Sequence, residues 1–202
     1  REDVAFLILL GAPALNGAET ILSQSEAIGR GIGLPEEFLS LHRKFSSALF
    51  EALGQAVPDG ERLAELGKQF EVEAKKLSSL DYRMLDGLEQ TMLYHLTQLE
   101  APWLPYYVRH EPGPFLESFP GPVLALYGAL DREVVAGLHE SAMRSHLNKA
   151  AHPNSIVQRI SGVNHHFQRA ETGFPSEYGR IDETISPSVL KRIAEWIEHL
   201  AR

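Results

Sequence analysis

Pro122-Val123-Leu124-Ala125-Leu126-Tyr127-Gly128-Ala129-Leu130-Asp131 and, further on, Ser155-Ile156-Val157-Gln158-Arg159-Ile160-Ser161-Gly162-Val163-Asn164-His165-His166-Phe167 decide how this chain is read. The first opens on an apolar run and the second on a β-like run, and each run stops at a glycine-bearing break. The segment between them has the composition of a helix. This is strand, acidic loop, helix, strand, histidine loop. Two sequential strands joined by a helix are parallel neighbours in almost every known case, with a right-handed crossover. Both loops then leave the carboxyl edge of one sheet, where open α/β sheets place their sites. Asp131 and His165 are thereby predicted to share a rim. A carboxylate that orients an imidazole makes two of the three parts of a Ser-His-Asp machine.

Working outward, Val4 to Leu10 is a continuous apolar run, as expected of a strand covered on both faces. It ends at Gly11-Ala12-Pro13, a strong breaker. From about Gly17 to Glu117 the pattern turns helical. Residues 19–30 form a first helix ending in Gly29-Arg30-Gly31-Ile32-Gly33. Pro35-Glu36-Glu37 opens a second, with proline and acids in the favoured first turn. Phe38, Leu41, Phe45, Leu49 and Leu53 give it an apolar stripe. Val57-Pro58-Asp59-Gly60 interrupts it. Leu63, Leu66, Phe70 and Leu77 line another helix, and Leu85, Leu88, Met92, Leu96 and Leu99 one more, stopped by Pro102. Trp103 to Pro112 is an aromatic, proline-bounded return segment. After the strand at 122–127 come a helix near 133–150, the strand at 155–160 and a Gly-Phe-Pro-Ser-Glu-Tyr-Gly excursion. A final helix starts at Ser186-Pro187, with Leu190, Ile193, Ala194 and Ile197 as its buried stripe.

The predicted organisation is a core strand and loop over 1–18, a helical insertion over 19–117, and a core portion over 118–202 that carries both loops. The fold class is α/β: part of a doubly wound, mostly parallel sheet with an inserted helical cap. Caps of this kind cover a carboxyl edge and select substrates.

Bulk properties narrow the function. With 44% hydrophobic and 23% charged residues the chain buries an ordinary core. A net charge of −8 and no basic stripe speak against nucleic acid. The chain has no cysteine, which removes disulfides, thiolate catalysis and cysteine metal sites. No segment is apolar over a bilayer-spanning length. Gly31-Ile32-Gly33 lacks the strand and the remaining positions of a phosphate-binding loop. His165-His166 would bind metal only with a third ligand such as Asp131 or Glu133, and no zinc motif is present, so no metal or cofactor is expected. His139 and His146 share a helix face and read as solvated. The compartment stays open.

The pair of loops resembles the end of an α/β-hydrolase. Pro-Val-Leu-Ala-Leu-Tyr-Gly-Ala-Leu-Asp131 precedes Gly-Val-Asn-His165-His-Phe-Gln, the acid and the histidine being 34 residues apart. Together with the tail Thr172-Gly-Phe-Pro-Ser-Glu-Tyr-Gly-Arg-Ile-Asp-Glu-Thr-Ile185, it is similar to bacterial esterases related to dienelactone hydrolases. That resemblance implies a triad in the order Ser, Asp, His. It makes Asp131 the orienting acid and His165 the general base, favours His165 over His166, and makes 4–10 the strand after the nucleophile's helix. It also implies an acyl substrate. No Gly-x-Ser-x-Gly occurs in these residues. Ser176 is the nearest substitute, but Pro-Ser-Glu-Tyr-Gly is a loop and not a strand-to-helix elbow. The chain is therefore expected to be the later part of a serine hydrolase whose nucleophile lies elsewhere. The missing half, or an oligomer contact, would cover the open sheet edge. The competing expectation is a non-catalytic module that binds a ligand or protein.

Overall fold

The computed structural model describes residues 3–55, 60–77 and 103–202. The predicted helix at Leu85–Leu99, its stop at Pro102 and most of the break at Val57 lie outside them. Contacts divide the chain into two units, Arg1–Leu15 with Glu111–Arg202, and Asn16–His110.

The first unit holds an open, all-parallel sheet ordered β1-β2-β3. The strands are β1 (Leu7–Leu10), β2 (Val123–Gly128) and β3 (Ile156–Ile160). Leu7 lies opposite Val123, and Leu124 opposite Ile156. Every residue of β2 is buried, which explains its unbroken apolar run: a central parallel strand has no wet face. β1 is shorter than its apolar run predicts and only half-buried, because among the described residues it has a neighbour on one side alone.

One face of the sheet packs Val123, Ala125 and Tyr127 against α5 (Gly113–Ser118) and α6 (Ala136–Ala150), through Leu116, Met143 and Leu147. The other packs Leu124 and Leu126 against α8 (Pro187–Leu200), through Val189 and Trp196. A four-residue helix, α7 (Pro175–Tyr178), interrupts the tail. Alternation along β2 thus feeds two cores, one on each side of a single sheet.

The final helix corrects one expectation. Its buried residues are Val189 and Trp196, with Ile193 and Leu200 partly covered, while Leu190 is 51% and Ile197 38% exposed. The two stripes differ by a rotation of about one residue, and both satisfy a helical period. Trp196 settles the rotation, since it brings the largest apolar area and its indole N–H needs a partner. That partner is the Asn154 carbonyl at 3.2 Å. Ser186 does stand at the N-cap before Pro187, but its hydroxyl bonds Ser188 and does not cap.

Among the described residues the second unit is helical. It contains α1 (Gly17–Gly31), α2 (Glu36–Leu53), α3 (Gly60–Ala74) and the short α4 (Leu104–Arg109). Asn16 caps α1 by accepting from Glu19 N at 2.8 Å. Phe38, Leu39 and Phe70 make one core, and Leu53, Leu104 and Val108 another. Pro35 stands just outside α2 rather than in its first turn, so Glu36 and Glu37 are the residues that meet the positive end of the helix.

Candidate functional site: an acid–histidine pair at the carboxyl edge

Because all three strands run the same way, the loops after β1, β2 and β3 leave one edge of the sheet. Those loops carry Gly11, Asp131 and His165. His165 Nδ1 lies 2.9 Å from Asp131 Oδ2. A carboxylate only accepts, so Nδ1 carries the proton and donates, which leaves Nε2 with its lone pair in the neutral ring. The Asp131 side chain is fully buried, whereas that of His165 keeps 25% exposure.

Asp131 uses both oxygens. Oδ1 accepts from Glu133 N and Val134 N, each at 2.8 Å, an aspartate turn that fixes the carboxylate before α6 begins. One side chain therefore makes both the contact with His165 and the ordinary turn of an aspartate.

The histidine loop is built around Asn164, which is wholly buried. Its Nδ2 donates to Gln168 Oε1, and its Oδ1 accepts from Gln168 N, both at 3.0 Å. Gln168 Nε2 in turn donates to the Glu183 carbonyl at 2.9 Å. Phe167 adopts φ +59°, a left-handed conformation that its burial in the α8-side core offsets. Ser186 N donates to the Phe167 carbonyl at 2.8 Å, tying the final helix to this loop. The loop is held from both ends, so the ring of His165 is presented in one orientation.

The loop after β1 completes the edge. Gly11 has φ +57°, and a Cβ there would lie 3.1 Å from His165 Nδ1 and 3.5 Å from Asp131 Oδ2. Its N–H is spent on the Leu126 carbonyl at 2.9 Å. The same loop is fastened by Tyr127, whose hydroxyl donates to the Ala12 carbonyl at 2.9 Å, and by His139, whose Nδ1 accepts from Ala14 N at 3.0 Å.

His139 and His146 are not the solvated pair the sequence suggests. His139 is completely buried, and burial pushes its pKa down to about 4 against the pull of the Asp131 charge. His146 bonds Glu117 at 2.7 Å and approaches the Ala14 carbonyl at 3.2 Å. A helix face that looks solvent-bound by spacing is here the face turned to the loop after β1.

For His165 the hydrogen bond to Asp131 raises the pKa. Burial opposes this, and the charges of Asp131 and Glu133 reinforce it. The ring is thus a stronger base than a free imidazole, held by a carboxylate that cannot reach water.

No protein-family model, curated protein or solved structure matches this chain.

The other named residues fall as follows. His166 is exposed and lies against Tyr178 rather than Asp131. Ser176 is exposed on α7, and among the described residues no hydroxyl bonds His165 Nε2. Among the described residues no three metal-ligating side chains converge. Sequence reasoning missed Gly11, read only as a breaker, and Asn164 and Gln168, which stand four apart inside the very motif that drew attention to His165.

Proposed function

We propose that this chain supplies the base and the orienting acid of a serine hydrolase that cleaves a carboxylic ester or similar acyl bond through an acyl-serine intermediate. The observation that carries the reading is the 2.9 Å contact between Nδ1 of a part-exposed imidazole and an oxygen of a fully buried carboxylate, delivered from the ends of adjacent parallel strands. On this reading His165 Nε2 takes the serine proton during attack and returns it to the leaving group. Asp131 holds the tautomer and stabilises the imidazolium that forms, without itself becoming protonated. The serine and its oxyanion hole come from polypeptide outside these residues, and the half-buried edge strand β1 is where that polypeptide pairs. The helical unit is then the cap insertion.

Fluorophosphonate labelling tests the proposal. The chain alone should not label. A longer protein that joins it to a strand–Gly-x-Ser-x-Gly–helix segment should label, and should lose turnover by several orders of magnitude in His165→Ala and by roughly 10³–10⁴-fold in Asp131→Asn. Turnover that survives His165→Ala rejects the hydrolase reading and leaves a binding module.

A further inference from the structure

The acid and histidine loops are joined by a second set of contacts. Asp131 Oδ1 holds Glu133 N at 2.8 Å, which fixes where Glu133 starts. Glu133 Oε1 accepts from the Tyr178 hydroxyl at 2.8 Å. The Tyr178 ring lies against the His166 ring, centroids 4.3 Å apart and tilted by 40°. His166 is the chain neighbour of His165, with ring centroids 5.9 Å apart. His165 Nδ1 then returns to Asp131 Oδ2. Five side chains from three segments close a circuit.

The segment that brings Tyr178 is itself fastened to the acid loop. Arg132 Nε donates to the Thr172 carbonyl at 3.2 Å, and its guanidinium lies 5.3 Å from the centroid of the Phe174 ring. Gly173, at φ +76°, passes so close that a Cβ would lie 1.8 Å from the Leu130 carbonyl oxygen. Only glycine fits there. The Glu177 carboxylate collects the N–H groups of Glu171, Thr172 and Gly173, which keeps the turn closed.

We propose that Glu133, latched by the Tyr178 hydroxyl, is a positioning residue for His165. The latch keeps a second carboxylate near the imidazole, and through His166 it steadies the histidine loop from outside. The purpose of the latch rests on the hydrolase reading above, whereas the latch itself belongs to this chain and is tested in it. A tie that serves only to hold two loops together differs in one respect: its charge would not matter to His165. Asp131 of the loop after β2 bonds the ring and His166 is its neighbour in the chain, while Glu133, of the loop after β2, acts on it through charge alone. Tyr178 and Glu177 lie one step further out on α7, and the loop after β1 brings Gly11 without charge. Glu133 is thus the charge beyond Asp131 that favours the imidazolium.

The experiment is an NMR titration of the His165 Cε1 proton in the 202-residue chain, for the unmodified protein, Glu133→Gln, Tyr178→Phe and the double variant. Glu133→Gln should lower the titration midpoint. Tyr178→Phe keeps a ring against His166 but frees the carboxylate to swing into water, so it should lower the midpoint part of the way. The double variant should fall no further than Glu133→Gln alone. A midpoint unmoved in Glu133→Gln, with thermal stability reduced, overturns the proposal. So does an additive double variant, because Tyr178 would then act independently of Glu133. If Glu133→Gln does not fold, Tyr178→Phe carries the test: a midpoint equal to that of the unmodified protein rejects the latch. Fluorophosphonate labelling of the serine-bearing longer protein separates the two ideas. A shifted midpoint without labelling keeps the latch and removes the hydrolase, and labelling with an unshifted midpoint does the reverse.

Discussion

Gly11, Asp131, His139 and His165 each answer to a different force, and two of them titrate in opposite senses. For His165 the charged form gains a buried carboxylate, so its folded pKa lies above the ordinary imidazole value. The stability it contributes is full below that ordinary value and disappears as pH rises through the raised one. His139 works the other way. Folding holds it neutral, with a pKa of about 4 against 6.5 when free. Its contribution is present above 6.5 and is lost as pH falls towards 4, by about 3 kcal/mol in all. His139→Gln keeps an acceptor for Ala14 N–H and cannot titrate. Its urea midpoint should therefore lose much of the acid-side decline between those two pH values. Asp131→Asn turns an acceptor into a donor opposite Nδ1, so it should remove the His165 contribution and lower that ring's midpoint.

At Gly11 the constraint is steric. Alanine there must hold a left-handed φ, costing about 1 kcal/mol, and its methyl presses on His165 Nδ1 at 3.1 Å. Gly11→Ala should destabilise the chain by roughly 1–2 kcal/mol in denaturant unfolding. It should also lower the His165 midpoint by pushing the ring away from Asp131. A destabilised variant with an unchanged midpoint would show that the loop after β1 does not touch the pair in solution.

Among the elements, α8 depends most on one side chain. Trp196 is 1% exposed, meets Phe6 edge-to-face at 5.5 Å, and spends its N–H on Asn154. Trp196→Ala should cost about 3–5 kcal/mol in equilibrium unfolding. Leu190→Ala, on the exposed side of the same helix, should cost well under 1 kcal/mol. Equal costs would restore the stripe expected from sequence. The pair of substitutions shows why helical period alone left the rotation open: α8 carries apolar residues on two faces, and only contact with Leu124, Leu126 and Val163 chooses between them. β2 posed no such choice. Its run of buried residues reads the same whichever face is considered, which is why the strand was legible to within a residue.

On the scale of the whole molecule, the sheet has open edges among the described residues, and β1 is the half-buried edge whose sequence is wholly apolar. Leu10 is 38% exposed on it. Such an edge pairs with other chains unless covered. Sedimentation velocity should show the isolated chain associating with concentration, and Leu10→Lys should weaken that association without unfolding the protein. A chain that stays monomeric at all concentrations would mean that the edge needs no partner. Among the described residues no helix is long and apolar enough to cross a membrane.

The sequence by itself determined the α/β class, the parallel pairing of β2 with β3, and the convergence of Asp131 and His165. Each follows from strand order and from where a strand stops, properties that chain connectivity fixes before packing begins. The tertiary structure alone decided the rotation of α8, the burial of His139, and the approach of Gly11 and of the Tyr178–Glu133 latch to the pair. Those depend on segments far apart in the chain, and no local period encodes which side of a residue a distant loop will meet.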